Sequence, residues 1–249
     1  TGSPQVGALV QQAAAPNCVA VCLELGGKSP QIVFADADLD RAAATVVKAI
    51  AQNAGQTCAA GTRLLVERSV FDAFVRRIAT AFEQLRVGVP ADDPDLGPVI
   101  SAKQRQRVQR YIEQARRDGV PVIAQTPLPH DLPAAGHYVA PIVFGPVPTS
   151  HPLAQEEVFG PVLSVFAFDD EAQALALANG TDYGLVAAVW TRDGGRAARL
   201  SKRLAAGQCF INCYGAGGGV EFPFGGMRRS GHGREKGLLA LEEMSVTKT

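Results

Sequence analysis

Neither sign of charge prevails in this chain, whose 24 lysines and arginines are matched by 24 aspartates and glutamates over 249 residues. A zero formal balance removes the electrostatic case for nucleic acid or an anionic membrane as a partner. No uninterrupted apolar run approaches the roughly 18 residues of a membrane-spanning helix, and no opening apolar segment resembles a secretory leader. Histidine is scarce: His130, His137, His151 and His232 form no HExxH pair. The five cysteines, Cys18, Cys22, Cys58, Cys209 and Cys213, are odd in number and lack compact zinc-ligand spacing. Reduced thiols, no metal and a cytoplasmic location are the expectations. The chain begins TGSPQ, without Met.

Hydrophobic residues make up 47% of the chain, and 26 glycines with 16 prolines punctuate it. That mixture suits a packed α/β core with many turns, and it argues against disorder. Gln5 to Ala15 reads as a helix with Ser3 as N-cap and Pro4 in the first helical position. Val19 to Leu23 and Gln31 to Phe34 read as strands. Asp36 to Gly55 places Leu39, Ala42, Ala43, Val46, Val47 and Ile50 on one helical face. Strand Thr62 to Glu67 precedes a helix with Ser69 as its expected cap, and another helix starts at Ser101 with Gln104 completing a capping box. Strands at 138–144, 162–168, 185–190 and 208–212 then alternate with helices at 170–178 and 196–204. The fold class predicted is α/β.

Cys58 lies in NAGQTCAAG among small residues that would leave its sulfur accessible, so it is a candidate nucleophile as well as an ordinary small buried side chain. Glu24 ends an apolar strand just before Leu25-Gly26-Gly27, where a carboxylate can project into a cleft or anchor a turn. Glu157 sits in HPLAQEEVFGPV, either facing a polar ligand or forming a solvated acidic pair with Glu156. Phe159 can pack against core or ligand. Gly215 to Gly219 reads as a packed loop near a pocket mouth, with Val220 and Phe222 as apolar lining.

LELGGKSP at 23–30, NAGQTCAAG at 53–61, EEVFGPV at 156–162, NCY at 212–214 and PFGG at 223–226 together resemble the NAD(P)-dependent aldehyde dehydrogenase superfamily. The 34-residue separation of Glu24 and Cys58 is similar to that family's spacing between water-activating glutamate and nucleophilic cysteine. The resemblance implies catalytic roles for Cys58 and Glu24, and cofactor contacts from Glu157 to the nicotinamide ribose, Phe159 beside the nicotinamide, and Ser3 near the pyrophosphate at a helix N-terminus. Lys28 looks structural by the same comparison. It implies an aldehyde dehydrogenase-like catalytic domain at 27–226, with 1–26 closing a Rossmann-type cofactor domain and 227–249 returning along it, and with the oligomerisation strand absent. The expected reaction is oxidation of a small or moderate aldehyde with NAD or NADP, in an enzyme that forms a homo-oligomer at full length. A noncatalytic interaction module and a cofactor-independent ester or thioester hydrolase are the alternatives. The resemblance covers the C-terminal half of such an enzyme. The portion it leaves out would carry most of the dinucleotide site and an asparagine of the oxyanion hole.

Overall fold

The apolar runs pair into a seven-stranded sheet whose two faces are both covered, as a mostly parallel sheet requires. A computed structural model describes residues 1–215 and 219–249. In chain order these contain α1 (Pro4–Ala14), β1 (Leu23–Glu24), β2 (Pro30–Val33), α2 (Leu39–Ala51), β3 (Arg63–Glu67), α3 (Phe71–Glu83), α4 (Ala102–Arg117), β4 (Val122–Gln125), β5 (Ile142–Phe144), α5 (Pro152–Gln155), β6 (Val162–Phe168), α6 (Glu171–Asn179), β7 (Val186–Trp190), α7 (Gly194–Arg203), β8 (Gln208–Ile211), β9 (Gly231–His232) and α8 (Gly237–Glu243). The large sheet runs β4-β5-β6-β3-β2-β7-β8, parallel throughout except for the β4–β5 pair. A separate antiparallel ribbon joins β1 to β9.

Strand alternation assigns the two faces. Val33, Leu64, Val66, Val143 and Val165 pack with α2 and α3, while Ile32, Leu65, Ile142 and Phe144 pack with residues of α4, α6 and α7. Asp38, Ser101, Asp170 and Asp193 cap α2, α4, α6 and α7 with side-chain oxygens that accept backbone N–H groups.

Four local expectations are revised. Val19–Cys22 forms no strand: Cys18 turns the chain at φ 52°, Val19 is 61% exposed, and only Leu23–Glu24 finds a partner. Ser69 does not cap α3, because its hydroxyl donates to Glu67 Oε1 at 3.0 Å and Val70 occupies the cap position. The strand expected at 138–144 is limited to Ile142–Phe144, since Pro141 offers no N–H to a ladder. Gln104 fills only half of its capping box: its N–H binds Ser101 Oγ at 3.2 Å, but its side chain reaches elsewhere. Residues 216–218 of the glycine-rich loop lie outside the described residues, and the flanking Val220 and Phe222, expected to line a pocket, are 74% and 61% exposed.

Arg63 opens the central strand β3 and is 4% exposed, with no ion pair among the described residues. Its guanidinium donates instead to three carbonyls: Lys28 O at 2.8 Å, and Leu177 O at 2.7 Å and Ala178 O at 2.6 Å at the end of α6. The two α6 carbonyls carry the negative end of that helix's dipole, which stabilises a cation there. Arg63→Met keeps the apolar stem but strands these buried acceptors, so a loss of about 2–4 kcal/mol is expected. Urea unfolding checks it: the midpoint falls with the slope unchanged, whereas a midpoint equal to wild type contradicts the assignment.

Candidate active site

Three segments far apart in sequence meet at the turn after β1. Pairing with β9 sets Glu24 opposite Gly231, and Gly2 N–H donates to Glu24 O at 3.0 Å. Ser230, fully buried, holds the next residues by donating from Oγ to Gly26 O at 2.7 Å and accepting Leu25 N–H on its carbonyl at 3.1 Å. Gly26 and Gly27 then pass between the other two segments. Gly27 N–H donates to Glu157 Oε1 at 3.0 Å. A Cβ on Gly26 would collide with the Glu157 carboxylate, and one on Gly27 with the Cys58 carbonyl oxygen. The close approach requires glycine at both positions.

Glu24 is 3% exposed and its Oε1 has no protein partner. Burial pushes its pKa up to about 7, with the Glu235 charge adding to the rise while Arg234 and the Gly226 N–H pull it back. A carboxyl so placed holds its proton more readily than an exposed glutamate.

Cys58 lies in the loop before β3, half-buried, against a small cluster of Ala59, Leu185, Val186 and Phe224. Its approach is backbone in the left-handed region at Asn53 (φ 52°), Ala54 (φ 53°) and Gly55 (φ 72°). Gln56 fastens this stretch by donating to Asn53 O at 3.0 Å and accepting Ile100 N–H at 2.9 Å. Burial, then the Glu24 charge, pushes the Cys58 thiol up; the Ala59 and Cys58 N–H groups pull it down.

Glu157 is half-buried on the connection between α5 and β6. Burial raises its pKa, while Gly27 N–H, Lys28 and Arg107 oppose the rise. Its second oxygen, Oε2, accepts no protein hydrogen bond among the described residues. Phe159 stands at φ 60°, uncommon for a bulky residue, and is held there by Gln104 Nε2 donating to its carbonyl at 2.6 Å. Arg107 donates to Glu157 O at 2.7 Å from the same face of α4. Ser3 is the N-cap of α1, where its Oγ accepts Val6 N–H at 3.3 Å. Lys28 is 1% exposed with no protein partner on Nζ, and burial brings its pKa down to about 7.

The five candidate side chains therefore divide. The Glu157 carboxylate and the Cys58 backbone meet at the Gly26–Gly27 turn, which Glu24 leads into; Phe159 lies on the Glu157 loop; Ser3 joins through the bond from neighbouring Gly2 to Glu24. Sequence reasoning read Gln104 only as a helix-capping residue and did not single out Arg107 or Ser230. On α4 the first two look like a solvated helix face, and Ser230 follows two arginines in an irregular stretch, so neither gives a local signal. Among the described residues no group of three His, Cys, Asp or Glu side chains could hold a metal, and no helix is long and apolar enough to cross a membrane.

A thiol near backbone N–H groups can bond covalently to an electrophilic carbon, and a carboxyl of raised pKa can accept a proton from water. The scaffold that carries these groups is an α/β fold with a mostly parallel sheet. Residues 1–249 match the aldehyde dehydrogenase family throughout, and the chain belongs to that family. It is 42% identical over 250 aligned residues to a betaine aldehyde dehydrogenase of Rhizobium leguminosarum bv. trifolii, covering all of this chain and 51% of that protein. The crystal structure of a candidate aldehyde dehydrogenase from Burkholderia cenocepacia superposes with TM-score 0.95 at 61% identity, over 96% of this chain and 50% of the other. A Staphylococcus aureus betaine aldehyde dehydrogenase in complex with NAD+ gives TM-score 0.93 at 36% identity, over 97% and 48% of the two chains. The chain spans about half the length of the relatives it matches.

The electrostatic proximity of Glu24 and Cys58 has a measurable sign. A carboxylate near the sulfur opposes the thiolate, so Glu24→Gln lowers the pH midpoint of Cys58 alkylation by iodoacetamide, followed by mass spectrometry of the Cys58 peptide. An unchanged or raised midpoint contradicts that electrostatic influence.

Proposed function

We propose that this chain carries the catalytic machinery of an enzyme that oxidises an aldehyde to a carboxylic acid with NAD or NADP as hydride acceptor. The observation that carries the reading is the meeting of Glu24, Cys58 and Glu157 at one glycine turn. The donor set also fits the nicotinamide end of a dinucleotide. Glu157 keeps one pinned oxygen and one free of protein bonds, suited to a ribose hydroxyl. Ser3 accepts from Val6 and retains its own proton for a phosphate oxygen at the start of an 11-residue helix, where free backbone N–H groups favour an anion. Phe159, half-buried and fixed by Gln104, supplies an aromatic surface for the nicotinamide side. The NAD+-bound Staphylococcus aureus relative supports the same cofactor class.

When bound, the nicotinamide supplies the hydride acceptor. Cys58 thiolate attacks the aldehyde carbon, the C–S bond forms, and the carbonyl electron pair becomes an oxyanion beside the Cys58 N–H. Loss of hydride from that tetrahedral carbon re-forms a carbonyl as a thioester on Cys58. Glu24 then takes a proton from water, the water oxygen attacks the thioester, and the C–S bond breaks to release the acid and restore the thiolate.

The Cys58 thiol proton leaves to solvent before the attack, and an ionised Glu24 accepts a proton from water in the hydrolysis. Its pKa, raised by burial to about 7, makes it a stronger base than an exposed carboxylate.

Aldehyde-dependent NAD(P)H formation by the full-length protein tests this. Cys58→Ser, folded as judged by circular dichroism, is expected to lose at least about 1000-fold in turnover. Glu24→Gln loses about 100-fold or more and accumulates a Cys58-linked acyl group detectable by intact mass. Undiminished turnover in Cys58→Ser overturns the covalent role, and an unacylated Glu24→Gln protein with normal turnover overturns the base.

A further inference from the structure

The NCY run at 212–214 is the conspicuous motif that this mechanism leaves without a task. Asn212 is accounted for by the fold: its Oδ1 accepts Thr191 N–H at 2.9 Å and its Nδ2 donates to Thr191 O at 2.8 Å, closing the end of β7 onto β8. Cys213 is exposed. Tyr214 is different, because its hydroxyl donates to Ala59 O at 2.6 Å, across 155 residues of sequence. The ring leans on Phe210, with centroids 5.9 Å apart, and both rings border the cluster that packs Cys58.

On the other side of the same phenol is Ser29, which belongs to the segment carrying Glu24, Gly26 and Gly27. Ser29 is 2% exposed and its Oγ has no hydrogen-bond partner, and its nearness to the phenol pulls the Tyr214 pKa down. A buried hydroxyl left unpaired is costly. The Tyr214 oxygen still has lone pairs after donating to Ala59, so a rotation of the Ser29 hydroxyl would give that hydroxyl an acceptor.

We infer that Tyr214 is a positioning residue, its hydroxyl tying the Cys58 loop to the Glu24 turn through Ala59 on one side and Ser29 on the other. Burial pushes the phenol's pKa up, and the nearby Cys58 charge adds to the rise, so Tyr214 stays a protonated donor throughout the neutral range. Holding Ala59 O fixes the peptides around Cys58, and with them the Cys58 and Ala59 N–H groups that pull the thiol pKa down. The inference rests on Cys58 being the nucleophile of the proposed reaction. It adds that the reactivity of this sulfur depends on a side chain that touches neither substrate nor cofactor.

The test is the pH profile of Cys58 alkylation by iodoacetamide in the full-length protein without cofactor, resolved from the other four cysteines by peptide mass spectrometry. Tyr214→Phe keeps the ring against Phe210 and removes only the hydroxyl. The expected result is a midpoint raised by about half a pH unit, or about a 3-fold slower reaction at neutral pH, with the high-pH plateau unchanged. Ser29→Ala, which leaves Tyr214 intact, shifts the midpoint the same way by less, and it decides the matter if Tyr214→Phe does not fold. Midpoints equal to wild type in the folded variants overturn the inference. Its failure is separable from failure of the proposed reaction: in the first case alkylating Cys58 still abolishes aldehyde oxidation, and in the second it does not.

Discussion

The hydrogen bond from Gly27 N–H to Glu157 Oε1, made where two glycines slip between a carboxylate and the Cys58 backbone, is the constraint on which the site depends. It joins the turn after β1 to the connection before β6, and the tight passage leaves no volume for a side chain. Each partner is fixed from behind. Ser230 holds Gly26, α4 holds the Glu157–Phe159 backbone, and Arg63 holds Lys28 against the end of α6. The central strands β2 and β3 emerge directly from the two loops, so the parallel sheet sets the spacing of the turn and the thiol.

Burial then gives the site its electrostatic character. Two carboxyls and one thiol lie close together with little solvent, and each is pushed toward its neutral form. The opposing influences are all donors or cations of the scaffold: Gly226 and Arg234 for Glu24, the Ala59 and Cys58 N–H groups for the sulfur, Gly27, Lys28 and Arg107 for Glu157. The carboxylate charges of Glu24 and Glu157 both oppose a thiolate at Cys58.

The long periodic elements were legible from sequence because their buried faces repeat. α2 and β6 are found almost where the apolar spacing put them, and α1 has the Ser3 cap and Pro4 start that its first residues announce. β4 was not legible: it is a four-residue edge strand with only Ala124 buried, too short for alternation to register. The brief α5 was missed as well, since His151 caps it with a ring nitrogen that accepts Leu153 N–H, an uncommon use of a residue read as an ordinary loop histidine. For the site, Glu24 and Cys58 became strong candidates only through the ordered family motifs. Their meeting is a tertiary event, as are the bonds of Arg63, Gln104 and Tyr214, which span from 35 to 155 residues of chain and leave no local trace.

The account turns on one cleft shared by a nucleophilic sulfur and a proton-accepting carboxyl. A crystal structure of the full-length protein, frozen during turnover of an aldehyde with oxidised cofactor, addresses it most directly. Continuous electron density from Cys58 Sγ to the substrate carbon, with the Glu24 carboxyl one water away from that carbon, is the predicted result. Substrate density joined to a different side chain, or Glu24 walled off from the bound carbon in every molecule, would contradict the account.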